Sequence, residues 1–282
     1  MLAKILASHH GFHCTVLFAI NPESGLIDPN YNANIPGTEA LADADLMILA
    51  TRWRVLPDEQ LEPVYDFLKA GKPVIAFRTA THAFKSGDVG GYDWANFGIQ
   101  VVGENWHSHH GKHKFQGGRS VTVAKNAEHP ILNGVDSFYT PTDIYGVVHL
   151  DEEKSTLLLR GAVTVALDPS AALLDDEKND PMMPLAWLKD YELPGGVAGQ
   201  CFATTCGAAV DFRSESLRRL LVNASLHLTG QPVPQKANVE FVDPFKPSFF
   251  GFMPKDYFTK RGLRVEDFGP GKSAQSVPVA GY

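Results

Sequence analysis

Three short, almost uninterrupted apolar runs constrain this chain more than any other feature: residues 14–20 (CTVLFAI), 45–50 (DLMILA) and 73–77 (PVIAF). Each has the length of a strand and is too short for a buried helix. Between the second and third, residues 57–70 carry a helix signature. Pro57 opens the first turn, Asp58 and Glu59 sit at the positive end of the helix dipole, and Gly71 stops it. Pro63 inside this segment should kink the helix or shift its start. Continuous apolar strands alternating with helices point to an α/β fold, a mostly parallel sheet with helices on both faces. The chain opens differently. Leu2, Ile5 and Leu6 recur at helical spacing, with no strand or cap before them. An α/β sheet normally starts on a strand, so the expectation is that the first strand is missing from the sequence given.

Further along, residues 120–124, 144–150, 156–160, 184–191 and 200–204 read as strands. Residues 97–104 read as a short helix or strand, and 87–92 and 175–181 as loops. Residues 214–229 form the clearest helix of the second half. Ser214 is its N-cap, Leu217, Leu220, Leu221, Ala224 and Leu228 its apolar stripe, and Gly230 its stop. The stretch beyond Gly230 is rich in Pro, Phe and Gly without periodicity. The expected organisation is an α/β domain over residues 1–230 and an extended C-terminal tail over 231–282.

A net charge of −7 argues against a nucleic-acid partner, which needs clustered Lys and Arg. Three cysteines, none in a CxxC pair, make no disulfide framework. No apolar run reaches the roughly 20 residues of a membrane span. A small-molecule ligand is the partner that remains, and a homo-oligomer stays open.

In open parallel sheets, ligands bind outside the carboxyl ends of the strands. Three such ends carry polar groups here. The first bears Arg52 and Arg54 around Trp53. The second bears Arg78, Thr79 and His82. The third bears Thr204, Thr205 and Cys206, with Asp211 just beyond. Arg78 directly follows a run that should be fully buried, which suits a carboxylate or sugar-hydroxyl partner. Cys206 lies where a nucleophile could sit, but free cysteines are usually small buried hydrophobes. It is taken as pocket floor.

The densest chemical signal is WHSHHGKH, residues 106–113, which holds four of the eleven histidines. His109 and His113, or His110 and His113, would share a helix face, whereas His107 and His109 would share a strand face. Gly111 argues against a continuous helix, so no single geometry aims all four one way. Two or three of them, completed by Glu104, His82 or Asp143, could hold a divalent ion such as zinc. The same groups could serve as metal-free acid–base catalysts, or the run could be a polar loop bonded to backbone and water. Trp53, Trp106, Tyr145 and Trp187 would make a rim suited to a carbohydrate, though core packing explains each aromatic equally.

The order of several segments resembles the ThuA-like (trehalose utilisation) family, of the kind found in planctomycete-type bacteria. They are PDEQ at 57–60, GKPVI at 71–75, RTATHAF at 78–84, GENWH at 103–107, HPIL at 129–132, PTDIY at 141–145, NDPMMP at 179–184 and RRLLVN at 218–223. The resemblance implies a flavodoxin-like sheet similar to class I glutamine amidotransferases. It does not carry their chemistry: Arg78, Thr79 and Ala80 stand where the amidotransferase cysteine would be, and no histidine stands near Gly207 and Ala208. It also implies disaccharide metabolism, including keto-sugar routes, and in some members a divalent metal. Relatives often carry an export signal, so the compartment stays open.

The expected function is a hydrolase or lyase acting on a small glycoside or keto-sugar. His107, His109, His110, Glu104 and Asp143 are the candidate catalytic groups. His109, His110 and His113 are the candidate metal ligands. Arg52, Arg78, Thr79, His82, Trp106, Tyr145 and Cys206 are the candidate substrate contacts. The alternatives are a hydrolase of carboxylic esters or lactones, using Ser108 or a metal-bound water, and a non-catalytic binding or scaffold protein.

Overall fold

The computed structural model describes residues 1–254 and 256–273. At its centre is a seven-stranded sheet. Its strands are β1 (Met47–Leu49), β2 (Val74–Phe77), β3 (Gly118–Thr122), β4 (Tyr139–Thr140), β5 (Ser155–Val163), β6 (Met183–Tyr191) and β7 (Gly199–Thr204), in the spatial order β1-β2-β7-β6-β5-β3-β4. Helix α2 (Asp58–Lys69) covers one face, while α1 (Leu2–His10) and α3 (Glu215–Leu228) cover the other. The two-residue period of a strand sorts the core. Val74, Ala76, Cys201 and Ala203 pack with the α2 side, and Ile75 and Phe202 with the α1 and α3 side. This is the three-layer α/β arrangement expected of a flavodoxin-like fold.

The sheet is mixed. β1, β2 and β7 run parallel, whereas β7–β6, β6–β5, β5–β3 and β3–β4 pair antiparallel. The sequence reading of a mostly parallel sheet therefore holds for three strands. β5 and β6 are buried on both faces like parallel strands, so their apolar runs report two-sided burial and not direction.

Local signals produced the helices where expected. In α2, Leu61, Val64, Phe67 and Leu68 are buried, and the helix continues past Pro63. In α3, Ser214 caps the helix by accepting the Leu217 N–H at 3.2 Å. Residues 14–19 depart from expectation: the apolar run finds no strand partner among the described residues, and only Ile20–Asn21 pairs, with Leu26–Ile27. Of residues 144–150, only Tyr145–Gly146 is strand, because the Val147 N–H goes to Met183 Sδ and Glu104 takes those of Val148 and His149.

The tail is bound to the body and carries structure of its own, including helix α4 (Tyr257–Arg261). Arg218 and Arg219 on α3 donate to the carbonyls of Val239 and Ala237, and Lys4 on α1 pairs with Asp243. Residues 274–282 of the expected tail lie outside the described residues. Among the described residues no helix is long and apolar enough to cross a membrane.

Candidate functional site

The site is built at the carboxyl ends of β1 and β2. Immediately after β2 the chain turns sharply: Arg78 adopts φ 49°, a left-handed conformation rare for a side chain of this size, and a short 3-10 turn runs to His82. The loop after β1 is laced to this turn. Trp53 and Arg54 donate their N–H groups to the carbonyls of His82 and Ala83, each at 2.8 Å. The histidine run supplies the opposite wall. Ser108–His109 pairs antiparallel with Tyr145–Gly146, so His109 lies directly across from Tyr145, and the His110 N–H bonds the Ile144 carbonyl.

Asp143 is the hub. Its side chain is fully buried, which would normally raise a carboxyl pKa. Hydrogen bonds from His109 and His113, together with the Arg78 charge, outweigh that burial and hold it below the usual carboxylate range. Arg78 donates through Nη2 to Asp143 Oδ1 at 3.0 Å and through Nη1 to the carbonyls of Asp143 and Thr205 at 2.7 and 3.0 Å. The His113 Nδ1 contacts Asp143 Oδ1 at 2.9 Å, and the His109 Nδ1 bonds Oδ2. The two imidazoles lie 4.1 Å apart. One ligand atom each from His109, His113 and Asp143 falls within 4.8 Å of the others, a set able to hold a metal ion.

Asp211 positions the hub from behind. Its carboxylate accepts from the Thr142 hydroxyl at 2.6 Å and from the N–H groups of Gly207 and Ala208 at 2.9 Å, tying the loop after β7 to the residue before Asp143. The Arg78 guanidinium lies 3.8 Å over the Tyr145 ring. Trp106 stands 5.6 Å from both His82 and His109, and Trp53 stands 5.3 Å from His82. His82 is buried, and that burial, with the nearby charges of Arg52, Arg78 and His109, pulls its pKa down to about 4. It is therefore neutral at pH 7. Trp53, Arg78, His82, Trp106, His109, His113 and Tyr145 line a cleft of about 2080 Å³ that runs along the edge of β1 to α1. Thr79 and Arg52 line it as well.

Several sequence-derived candidates fall elsewhere. Glu104 is already engaged: its carboxylate accepts the N–H groups of Val148 and His149 and contacts the His149 Nδ1 at 2.6 Å. His110 turns to the opposite side of its extended segment, where its Nε2 meets the Lys178 carbonyl at 2.7 Å, so it does not join His109 and His113. His107 is exposed on the ribbon and outside the triad. Cys206 is buried against Thr204 Oγ1 at 3.0 Å, and burial, with Asp211 nearby, pushes its thiol up to about 12. It packs in the core and is not among the residues that line the cleft, so it does not form the expected pocket floor. Trp187 is fully buried and donates to the Val102 carbonyl at 2.8 Å, so it belongs to the core and not to the rim. The tail adds two groups that the sequence did not point to: Phe250, 5.2 Å from His113, and Phe252, over the Arg52 guanidinium. The only sequence signal for them is a run of phenylalanines (241, 245, 249, 250 and 252) with no periodicity to place it.

Comparison with known proteins adds family membership. The model of the ThuA (trehalose utilisation) family matches residues 28–228. Among solved structures the chain is similar to a ThuA-like protein from Parabacteroides merdae, at 15% identity, covering 83% of this chain and 85% of that one with a TM-score of 0.49. It is also similar to a ThuA-like protein from Bacteroides uniformis, at 15% identity, covering 71% and 74% with a TM-score of 0.43. No match was found among curated proteins. The family match covers well over half of the 282 residues, and the chain belongs to the ThuA, or trehalose utilisation, family.

Proposed function

We propose that the chain is an enzyme acting on a small carbohydrate, a glycoside or keto-sugar, as a hydrolase or lyase, with a divalent metal held by His109, His113 and Asp143. The observation that supports this reading is the convergence of these three side chains, with His109 and His113 lining a cleft that Trp53, Trp106 and Tyr145 also line. Two imidazoles and one carboxylate are a donor set for zinc or a similar borderline ion, and three protein ligands leave a position open. A carboxylate on one ring nitrogen also fixes an imidazole and leaves its other nitrogen available. When bound, the ion would supply Lewis acidity and an activated water.

The remaining roles belong to the chain. Arg78 holds Asp143 charged and in place; Asp143 in turn orients both imidazoles. With Asp143 on Nδ1, the His109 Nε2 is the nitrogen left to hold the ion, and without an ion it is the position that takes or gives a proton to a ligand. Trp106 and Tyr145 offer ring faces to the apolar side of a sugar. Neutral His82 offers a hydrogen bond without adding charge. The same His109–Asp143 contact supports a metal-free reading, in which this pair alone performs the acid–base work.

Metal analysis of the purified protein, with turnover of nitrophenyl glycosides and 3-keto-glucosides, tests the proposal. The expected result is one bound divalent ion, lost together with turnover in His113→Ala and Asp143→Asn. Full activity in metal-stripped protein would replace the metal reading by the acid–base pair. Ester hydrolysis that survives His109→Ala but is lost in Ser108→Ala would transfer the activity to a serine route. No turnover of any of these compounds would favour a non-catalytic binding protein.

A further inference from the structure

We propose that the ligand of this cleft is anionic, a polyhydroxy compound bearing a carboxylate or phosphate, and that Arg52 receives its oxyanion. The inference rests on the carbohydrate reading of the same pocket and narrows its substrate class. Arg52 follows β1, is half-buried and lines the cleft together with His109 and His113. Its guanidinium lies 5.3 Å from the Trp53 ring centroid and 4.3 Å from that of Phe252. Among the described residues it has neither a carboxylate partner nor a hydrogen bond. A partly desolvated cation without a counter-charge is costly. Rings occupy the faces of a guanidinium, and its N–H donors lie in the plane, free for the paired oxygens of a carboxylate or phosphate.

Among the charged groups around His109, His113 and Asp143, Arg52 is the one left without a counter-charge among the described residues. Arg78 is matched by Asp143. Asp211 is engaged by Thr142, Gly207 and Ala208. Arg54, next but one along the chain, donates to the carbonyls of Tyr31 and Pro29 at 2.8 and 2.9 Å, with Asp28 opposing its charge. A divalent ion on the His109, His113 and Asp143 set would make the pocket more positive still. The chain as a whole carries −7, so attraction for an anion is local to this cleft, within about one screening length of 8 Å in physiological salt.

Calorimetric titration of the full chain with D-glucose, methyl α-D-glucoside, D-glucuronate, D-glucose 6-phosphate and inorganic phosphate tests this. Wild type is compared with Arg52→Gln and Arg52→Lys, whose folding is checked by circular dichroism and melting temperature. The expected result is that glucuronate or glucose 6-phosphate binds at least about tenfold more tightly than the neutral sugars, and whichever does so identifies carboxylate or phosphate. Arg52→Gln abolishes that advantage, weakening the anionic sugar by at least about tenfold. Arg52→Lys keeps part of it, and added salt weakens only the anionic probe. Equal affinity for neutral sugars, anion affinity untouched by Arg52→Gln, or no binding of either anionic sugar overturns the proposal. Inorganic phosphate binding as tightly as glucose 6-phosphate overturns its polyhydroxy part. The metal reading is tested separately, by metal content in wild type and His113→Ala.

Discussion

Arg78→Met should destabilise the protein by about 3–5 kcal/mol, the usual cost of removing one partner from a buried ion pair. Asp143 keeps its charge in a fully buried position, and the substitution removes its contact at 3.0 Å. The carbonyls of Asp143 and Thr205 lose their guanidinium donor as well, at about 1 kcal/mol for each bond. Asp143→Leu should cost a similar amount by leaving Arg78 buried and unpaired. The Arg78→Met/Asp143→Leu protein removes both charges, so its loss should fall short of the sum of the two single losses by at least about 2 kcal/mol. Equilibrium urea denaturation measures this. With a slope near 3 kcal/mol per molar urea, each single variant should move the midpoint down by about 1–1.7 M. A single variant within about 1 kcal/mol of wild type, or additivity of the two losses within about 0.5 kcal/mol, would refute the view that this pair organises the site.

The same geometry sets other expectations. His82 has a folded pKa of about 4 against an ordinary 6.5, so between these values the unfolded chain holds a proton that the folded chain does not. Stability should therefore fall as pH drops from about 6.5 to 4, by up to about 3 kcal/mol, and His82→Gln should flatten that decline in urea titrations at stepped pH. Glu104→Ala should cost about 2 kcal/mol by orphaning the N–H groups of Val148 and His149, yet leave metal content unchanged by elemental analysis. A side chain at Gly98 would place its Cβ 2.0 Å from the Thr81 carbonyl oxygen and 2.6 Å from that of Glu104, so Gly98→Ala should lower stability by about 3 kcal/mol in thermal or urea melts. Cys206 should resist iodoacetamide in the native protein at pH 8, read by mass spectrometry, because its thiol is buried and pushed up to about 12.

Features under local control were legible in the linear chain. Two-sided burial marked β1, β2, β6 and β7, and the stripe and cap signals marked α2 and α3, because periodicity and capping are decided within a few residues. The placement of Arg78 at a strand end and the density of histidines were equally visible. Three features needed the folded chain. The direction of β3 to β6 depends on how distant strands meet, and a buried apolar run looks the same either way. Which histidines converge depended on pairing between Ser108–His109 and Tyr145–Gly146, which sends His109 toward Asp143 and His110 toward the Lys178 carbonyl. Glu104, read as catalytic, and Trp187, read as rim, were claimed by neighbours far along the chain, while Phe250 and Phe252 reached the cleft from a tail with no pattern of its own. A side chain's chemistry is written in its own position, but its partner is set by the register of segments tens to hundreds of residues away, and that register exists only once the sheet is formed.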